Sequence, residues 1–129
     1  NVKSWWDGRL FNKVLLDAPC SASGVIRRHP EVKWLRSKDQ VKAVNSDQAR
    51  LLDALWPLLD AGGMLVYATC SVFDCENGLQ IQHFLDRHPE AMVDIPSVEW
   101  GMAGSFGRQI LPGEENMDGF YYACLRKPA

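Results

Sequence analysis

Phe11-Asn12-Lys13-Val14-Leu15-Leu16-Asp17-Ala18-Pro19-Cys20-Ser21 is the stretch on which the fold turns. An apolar run meets a carboxylate and a proline, the pattern of a buried strand stopping at a turn. Pro19 donates nothing to a strand ladder and drives Ala18 towards extended geometry. The layout recurs at Gly62-Gly63-Met64-Leu65-Val66-Tyr67-Ala68-Thr69-Cys70-Ser71, which predicts a second buried strand over residues 64–68. Between the two, Val41, Val44, Leu51, Leu52, Leu55, Leu58 and Leu59 recur at three- and four-residue spacing. That spacing predicts a helix over residues 39–59, loosened at its end by Pro57 and closed by Gly62-Gly63. A second helix is expected from Asp74, as N-cap, to about residue 87, with Ile81, Phe84 and Leu85 on its buried stripe. A short strand near residues 91–95, an irregular glycine-rich stretch over 96–112 and an aromatic strand over 119–125 complete the order. Strand, helix, strand, helix, strand predicts an α/β fold with a mostly parallel sheet and right-handed crossovers. The last strand has no crossover helix before it and is expected to run antiparallel.

Composition sets the outer bounds. The 129 residues are 47% hydrophobic and 23% charged with ten glycines, which describes one soluble globular domain rather than a disordered or fibrous chain. The longest unbroken apolar run, residues 120–125, is too short to span a membrane. The opening Asn1-Val2-Lys3 has neither an initiator Met nor the regions of a signal peptide, so the expectation is a cytoplasmic protein or a piece of a longer one. A net charge of −2 excludes a uniformly basic nucleic-acid binder. Locally, however, Arg27, Arg28, Lys33, Arg36, Lys38 and Lys42 face only Glu31 and Asp39 over residues 27–42. This run reads either as a solvated helix face or as a phosphate-contacting patch, with Trp34 free to stack on a base or to pack against the long helix. Cys20, Cys70, Cys75 and Cys124 form no C-x-x-C pair, so no zinc site is expected. A chain with this much apolar core needs no disulfide staples, and the four are read as thiols.

Two of these thiols stand where chemistry gathers in α/β sheets, outside the carboxyl ends of strands. Each is followed by serine: Cys20-Ser21 and Cys70-Ser71. Strands joined by one helix default to parallel neighbours about 4.8 Å apart, which lets both sulfurs reach one small substrate with Asp17 beside them. Two thiols and a carboxylate suit carbon methylation of a pyrimidine. C5 of cytosine is not nucleophilic until something has added at C6, and a thiolate can make that addition while a second group later removes the C5 proton. The plain alternative is that small cysteines simply pack at strand ends.

At these residues the chain resembles the RNA cytosine-5 methyltransferases, most closely their bacterial Fmu/Sun (RsmB-type) branch, which modifies small-subunit ribosomal RNA. The likeness rests on Asp17-Ala18-Pro19-Cys20-Ser21, then Gly24-Val25-Ile26-Arg27-Arg28-His29-Pro30-Glu31, then residues 62–71 followed by Glu76-Asn77. Gln109-Ile110-Leu111-Pro112-Gly113 and Asp118-Gly119-Phe120-Tyr121-Tyr122-Ala123 match the closing segment, so the resemblance covers residues 11–127 in order. It implies a Rossmann-like methyltransferase fold that uses S-adenosylmethionine and takes ribosomal RNA as partner. It further implies that Cys70 is the nucleophile attacking C6 and that Cys20 assists product release. Asp17 would sit against the cofactor and the cytosine edge, with Pro19 shaping the turn. Arg27, Arg28 and Lys33 become RNA contacts, and Gly119 and Phe120 approach the crevice. A free thiol is only a few per cent ionised at neutral pH, so Cys70 is expected to draw help from the basic loop or a helix N-terminus.

The family's glycine-rich cofactor loop has no counterpart among these residues, since Gly8 is the only glycine before Asp17. Residues 1–129 are therefore expected to be the C-terminal half of a catalytic domain, lacking the first strands and any N-terminal RNA-binding domain. Alone, the segment would be inactive, and its unpaired apolar strand edge would invite self-association. A different class of reading is a non-catalytic RNA-binding or protein-interaction module built on residues 27–42, and a redox protein using Cys20 and Cys70 is a third.

Overall fold

A computed structural model describes residues 2–129. The first strand, β1 (Phe11–Asp17), leads through a loop with a one-turn helix (Ser23–Val25) to the short α1 (Val32–Leu35) and the long α2 (Lys38–Leu55). Then come β2 (Leu59–Thr69), a one-turn helix (Asp74–Glu76), α3 (Gly78–Arg87), β3 (Met92–Asp94), β4 (Met102–Ala103), β5 (Arg108–Ile110) and β6 (Phe120–Arg126). All six strands join one sheet, in which β1 pairs parallel with β2, and β6 lies antiparallel on the other side of β2. The far edge of β6 is shared by β3 and β5, both antiparallel to it. Consequently β1, β2, β3 and β5 run one way and β4 and β6 against them. The last strand is antiparallel, as expected from the order of elements, while the sheet expected to be mostly parallel is mixed: among the described strands β1 with β2 is the one parallel pairing. No helix among the described residues is long and apolar enough to cross a membrane.

The core lies where α2 and α3 cover the sheet. Leu16, Leu65, Tyr67 and Leu125 from the strands meet Leu52, Trp56, Ile81 and Phe84 from the helical side, all buried. Trp56 and Phe84 cross edge-to-face at 5.3 Å between ring centroids, the geometry that aromatic quadrupoles favour. α2 begins on a capping box: Gln40 N–H donates to Ser37 Oγ, and Ser37 N–H donates to Gln40 Oε1.

Several expected boundaries shift. The long helix ends at Leu55 rather than at residue 59, because Pro57 has no N–H to continue the ladder; one tight turn, Trp56–Leu58, follows it. Leu59 already belongs to β2, and Gly62-Gly63 lies inside that strand rather than closing the helix. There the pairing jumps from Phe11 opposite Leu59 to Lys13 opposite Met64, a bulge that Gly62 permits with φ of +73°. Asp74 does not cap α3. Asn77 holds that position without a side-chain cap bond, because its amide is committed elsewhere. The stretch expected to be irregular contains β4 and β5, each too short for a two-residue alternation to show.

Candidate active site

The parallel pairing of β1 with β2 sets Asp17 opposite Ala68, so both strands end at one level and their Cys-Ser steps follow side by side. Ala18 N–H still donates to Ala68 O at 2.9 Å, which extends the alignment into the turn. As a result Cys20 Sγ and Cys70 Sγ lie 3.1 Å apart, hydrogen-bonded and half-buried, and both remain free thiols.

The contact divides the two sulfurs electrostatically. Cys20 is pulled below the usual thiol value of 9.0 to about 7, chiefly because the Cys70 thiol donates to it. Backbone N–H groups of Ala22 and Cys70 add to this, while burial and the Glu76 charge oppose it. Cys70 is raised, first because it holds the shared proton and then because it is buried, with the charges of Cys20 and Asp17 nearby. The pair thus keeps one proton between two sulfurs around neutrality. The leading causes of both displacements are the sulfur pair itself, burial and nearby backbone N–H groups, rather than the lysines and arginines of the basic loop. Arg27 donates to Met117 O at 3.0 Å and Asn116 Oδ1 at 2.8 Å, and Arg28 pairs with Asp118 at 2.6 Å, which brace the loop against the segment before β6.

Behind the sulfurs stands a fully buried carboxylate. Glu76 Oε1 accepts from Ser21 N–H at 2.7 Å and from Gln48 Nε2 at 3.3 Å. Its Oε2 accepts from Ser21 Oγ at 2.6 Å and from Ser71 Oγ. Asn77 extends the frame, accepting from Thr69 Oγ1 at 2.6 Å and donating to Ser71 O at 2.9 Å and Gln109 Oε1 at 2.8 Å. From α2, Gln48 also donates to Pro19 O at 2.7 Å. Sequence reasoning quoted Ser21, Ser71, Glu76 and Asn77 for their motif but assigned them no work. Gln48 carried a usable signal: it interrupts the apolar stripe of Val44 and Leu52 at four-residue spacing, and a polar side chain on a buried stripe needs partners.

Two glycines close the floor of the site. Gly24 N–H donates to Cys70 O at 2.9 Å, and Gly119 N–H donates to Gly24 O at 2.7 Å. A Cβ on Gly24 would stand 2.1 Å from Gly119 O, so only glycine fits this crossing. Asp17 and Pro19 are exposed at the mouth. Lys33 is exposed too, 5.4 Å from the ring centroid of Trp34, and lines a groove of about 880 Å³ with Arg36, Lys38, Ile26 and Phe73. Trp34 is 82% exposed. The structure therefore brings Cys20 and Cys70 into contact with the Asp17 charge near enough to act on Cys70, sets Lys33 on an adjoining groove, and ties Arg27 and Arg28 into the loop.

Comparison with known proteins shows the family. The family described as 16S rRNA methyltransferase RsmB/F matches residues 1–126. The chain is 54% identical to ribosomal RNA small subunit methyltransferase B of Vibrio cholerae over 97% of its length, and 52% identical to that of Vibrio vulnificus over 100%. It spans 28% and 29% of those two proteins. Among solved structures, NSun6 from Pyrococcus horikoshii with SFG superposes with a TM-score of 0.81 at 29% identity, covering 95% of this chain and 31% of that one.

Proposed function

Because the chain belongs to the RsmB/F family of 16S rRNA methyltransferases, we propose that the full-length protein carrying it transfers a methyl group from S-adenosylmethionine to C5 of a cytosine in small-subunit ribosomal RNA, in the cytoplasm. The observation that carries this reading is the 3.1 Å contact of two thiols at adjacent strand ends. Methylation of an exocyclic amine calls for no covalent nucleophile, whereas methylation at C5 requires one.

Cys70 passes its proton to the Cys20 thiolate and adds through Sγ to C6 of the cytosine. Asp17, exposed at the end of β1, steadies the proton that the ring takes up from solvent as the adduct forms and returns to solvent once the thiolate has left. S-adenosylmethionine, when bound, supplies an electrophilic methyl on a cationic sulfonium. An exposed carboxylate at the mouth of the site fits a cationic group, and Asp17 with the Pro19 turn would hold it. After the methyl has arrived at C5, Cys20, its own proton released to solvent, removes the C5 proton. The C6–Sγ bond then breaks, leaving Cys70 as the thiolate. Throughout, the protein's contribution is orientation and nucleophile activation. Lys33 meets the RNA backbone at the groove, and Arg27 and Arg28 do so with donors left over from the loop braces.

In the full-length protein, Cys70→Ala is expected to abolish the covalent RNA adduct; Cys20→Ala, which loses both the acceptor for the Cys70 proton and the group that removes the C5 proton, is expected to form the adduct more slowly yet accumulate it, read by denaturing gel shift. Equal loss of adduct in both variants would overturn the division of roles.

A further inference from the structure

We propose that Glu76 is a positioning residue for this reaction: its carboxylate latches the serine after each cysteine and thereby sets the distance between the two sulfurs. The proposal rests on the reading of Cys70 as nucleophile. Its geometry, however, stands on four hydrogen bonds. Ser21 gives the carboxylate both its N–H and its hydroxyl, at 2.7 and 2.6 Å, and Ser71 gives its hydroxyl. Gln48 completes the surround from α2. Since Ser21 and Ser71 are covalently next to Cys20 and Cys70, fixing the serines fixes both cysteine backbones. One acceptor thus clamps two loops that begin fifty residues apart in the chain.

A clamp of this kind has a cost that a purely structural joint would avoid. Glu76 is fully buried, and taking a carboxylate out of water is unfavourable until its donors offset it. A hydrophobic plug would join the loops without that cost, but it has no means to orient two hydroxyls and an N–H at once. Around the sulfurs the charged or titratable groups include Asp17, from β1, Glu76, from the turn before α3, and Tyr67, from β2; the Glu76 charge opposes ionisation of Cys20, and the Asp17 charge opposes ionisation of Cys70.

The test uses the full-length protein and two readouts. Glu76→Gln keeps the size of the side chain but presents donors to donors. Its kcat is expected to fall at least tenfold with KM for RNA changed less than twofold. Diamide, which accepts the two electrons and two protons of disulfide formation, is expected to couple Cys20 to Cys70 at least tenfold more slowly than in the parent. A Ser21→Ala, Ser71→Ala double variant, which keeps the carboxylate and removes its hydroxyl partners, should show the same pairing of effects and serves if Glu76→Gln fails to fold. Parent-like kcat in Glu76→Gln, or reduced kcat with a parent-like coupling rate, would overturn the proposal. Persistence of the RNA adduct in Cys70→Ala would instead overturn the assignment of the nucleophile, while leaving the coupling result intact.

Discussion

Cys20 and Cys70 behave as one titrating unit, and its lower ionisation falls in the neutral range. Cys20 ionises near pH 7 because Cys70 donates to it, so lowering the pH through 7 protonates Cys20 and removes the acceptor for the Cys70 proton. Alkylation of Cys20 by iodoacetamide, followed by mass spectrometry of its peptide, should therefore rise with pH through a midpoint about 7. In Cys70→Ala the donor is gone, and the midpoint should climb towards the ordinary thiol range; an unmoved midpoint would contradict the shared proton. At this scale much was legible in advance. Asp17, Cys20 and Cys70 each follow a recognisable strand, and strand ends are where the sheet delivers side chains to one place. Glu76 was not legible in the same way, because its partners come from the β1 loop, the β2 loop and α2, and only the folded chain brings these together.

The elements were read well where a single physical signal dominated and less well where two competed. The periodicity of Val44, Leu51, Leu52 and Leu55 identified α2, yet the same apolar count carried the expected helix on through Leu58 and Leu59, which are buried for another reason. Both are core residues, one in a tight turn and the other at the first position of β2, and hydrophobicity alone does not separate these roles. Gly62-Gly63 likewise signals a break, and a bulge within a strand satisfies that signal as fully as a helix end does. α2 starts at Lys38, one residue before the expected Asp39, behind Ser37 and Gln40, whose three-residue spacing had not been read as a cap and whose reciprocal bonds form a capping box. Ser37→Ala removes one of them and leaves the Gln40 N–H without its acceptor. The expected loss is about 1 kcal/mol of stability, measurable by denaturant unfolding, with the thiol contact unchanged.

At the scale of the molecule, the open edge of the sheet is the salient feature. β1 pairs only with β2 among the described residues, and on it Leu16 points into the core while Leu15 is 69% exposed. An apolar strand edge with unpaired N–H and C=O groups is a template for another strand. The 129-residue segment on its own is therefore expected to self-associate, its light-scattering mass rising with concentration. Leu15→Lys, which places a charge on that edge, should return it towards the monomer, and a parent segment that stays monomeric at high concentration would refute this.

The glycine crossing at the floor of the site also imposes a schedule on biosynthesis. Cys70 O, Gly24 and Gly119 form one chain of backbone hydrogen bonds, and Gly119 is translated long after both cysteines. At roughly 5–20 residues per second, a nascent chain carries both sulfurs for a few seconds before the last member of that chain exists. For that interval β2 also lacks its neighbour β6. The floor beneath the two sulfurs is thus completed only when the residue just before β6 has been made.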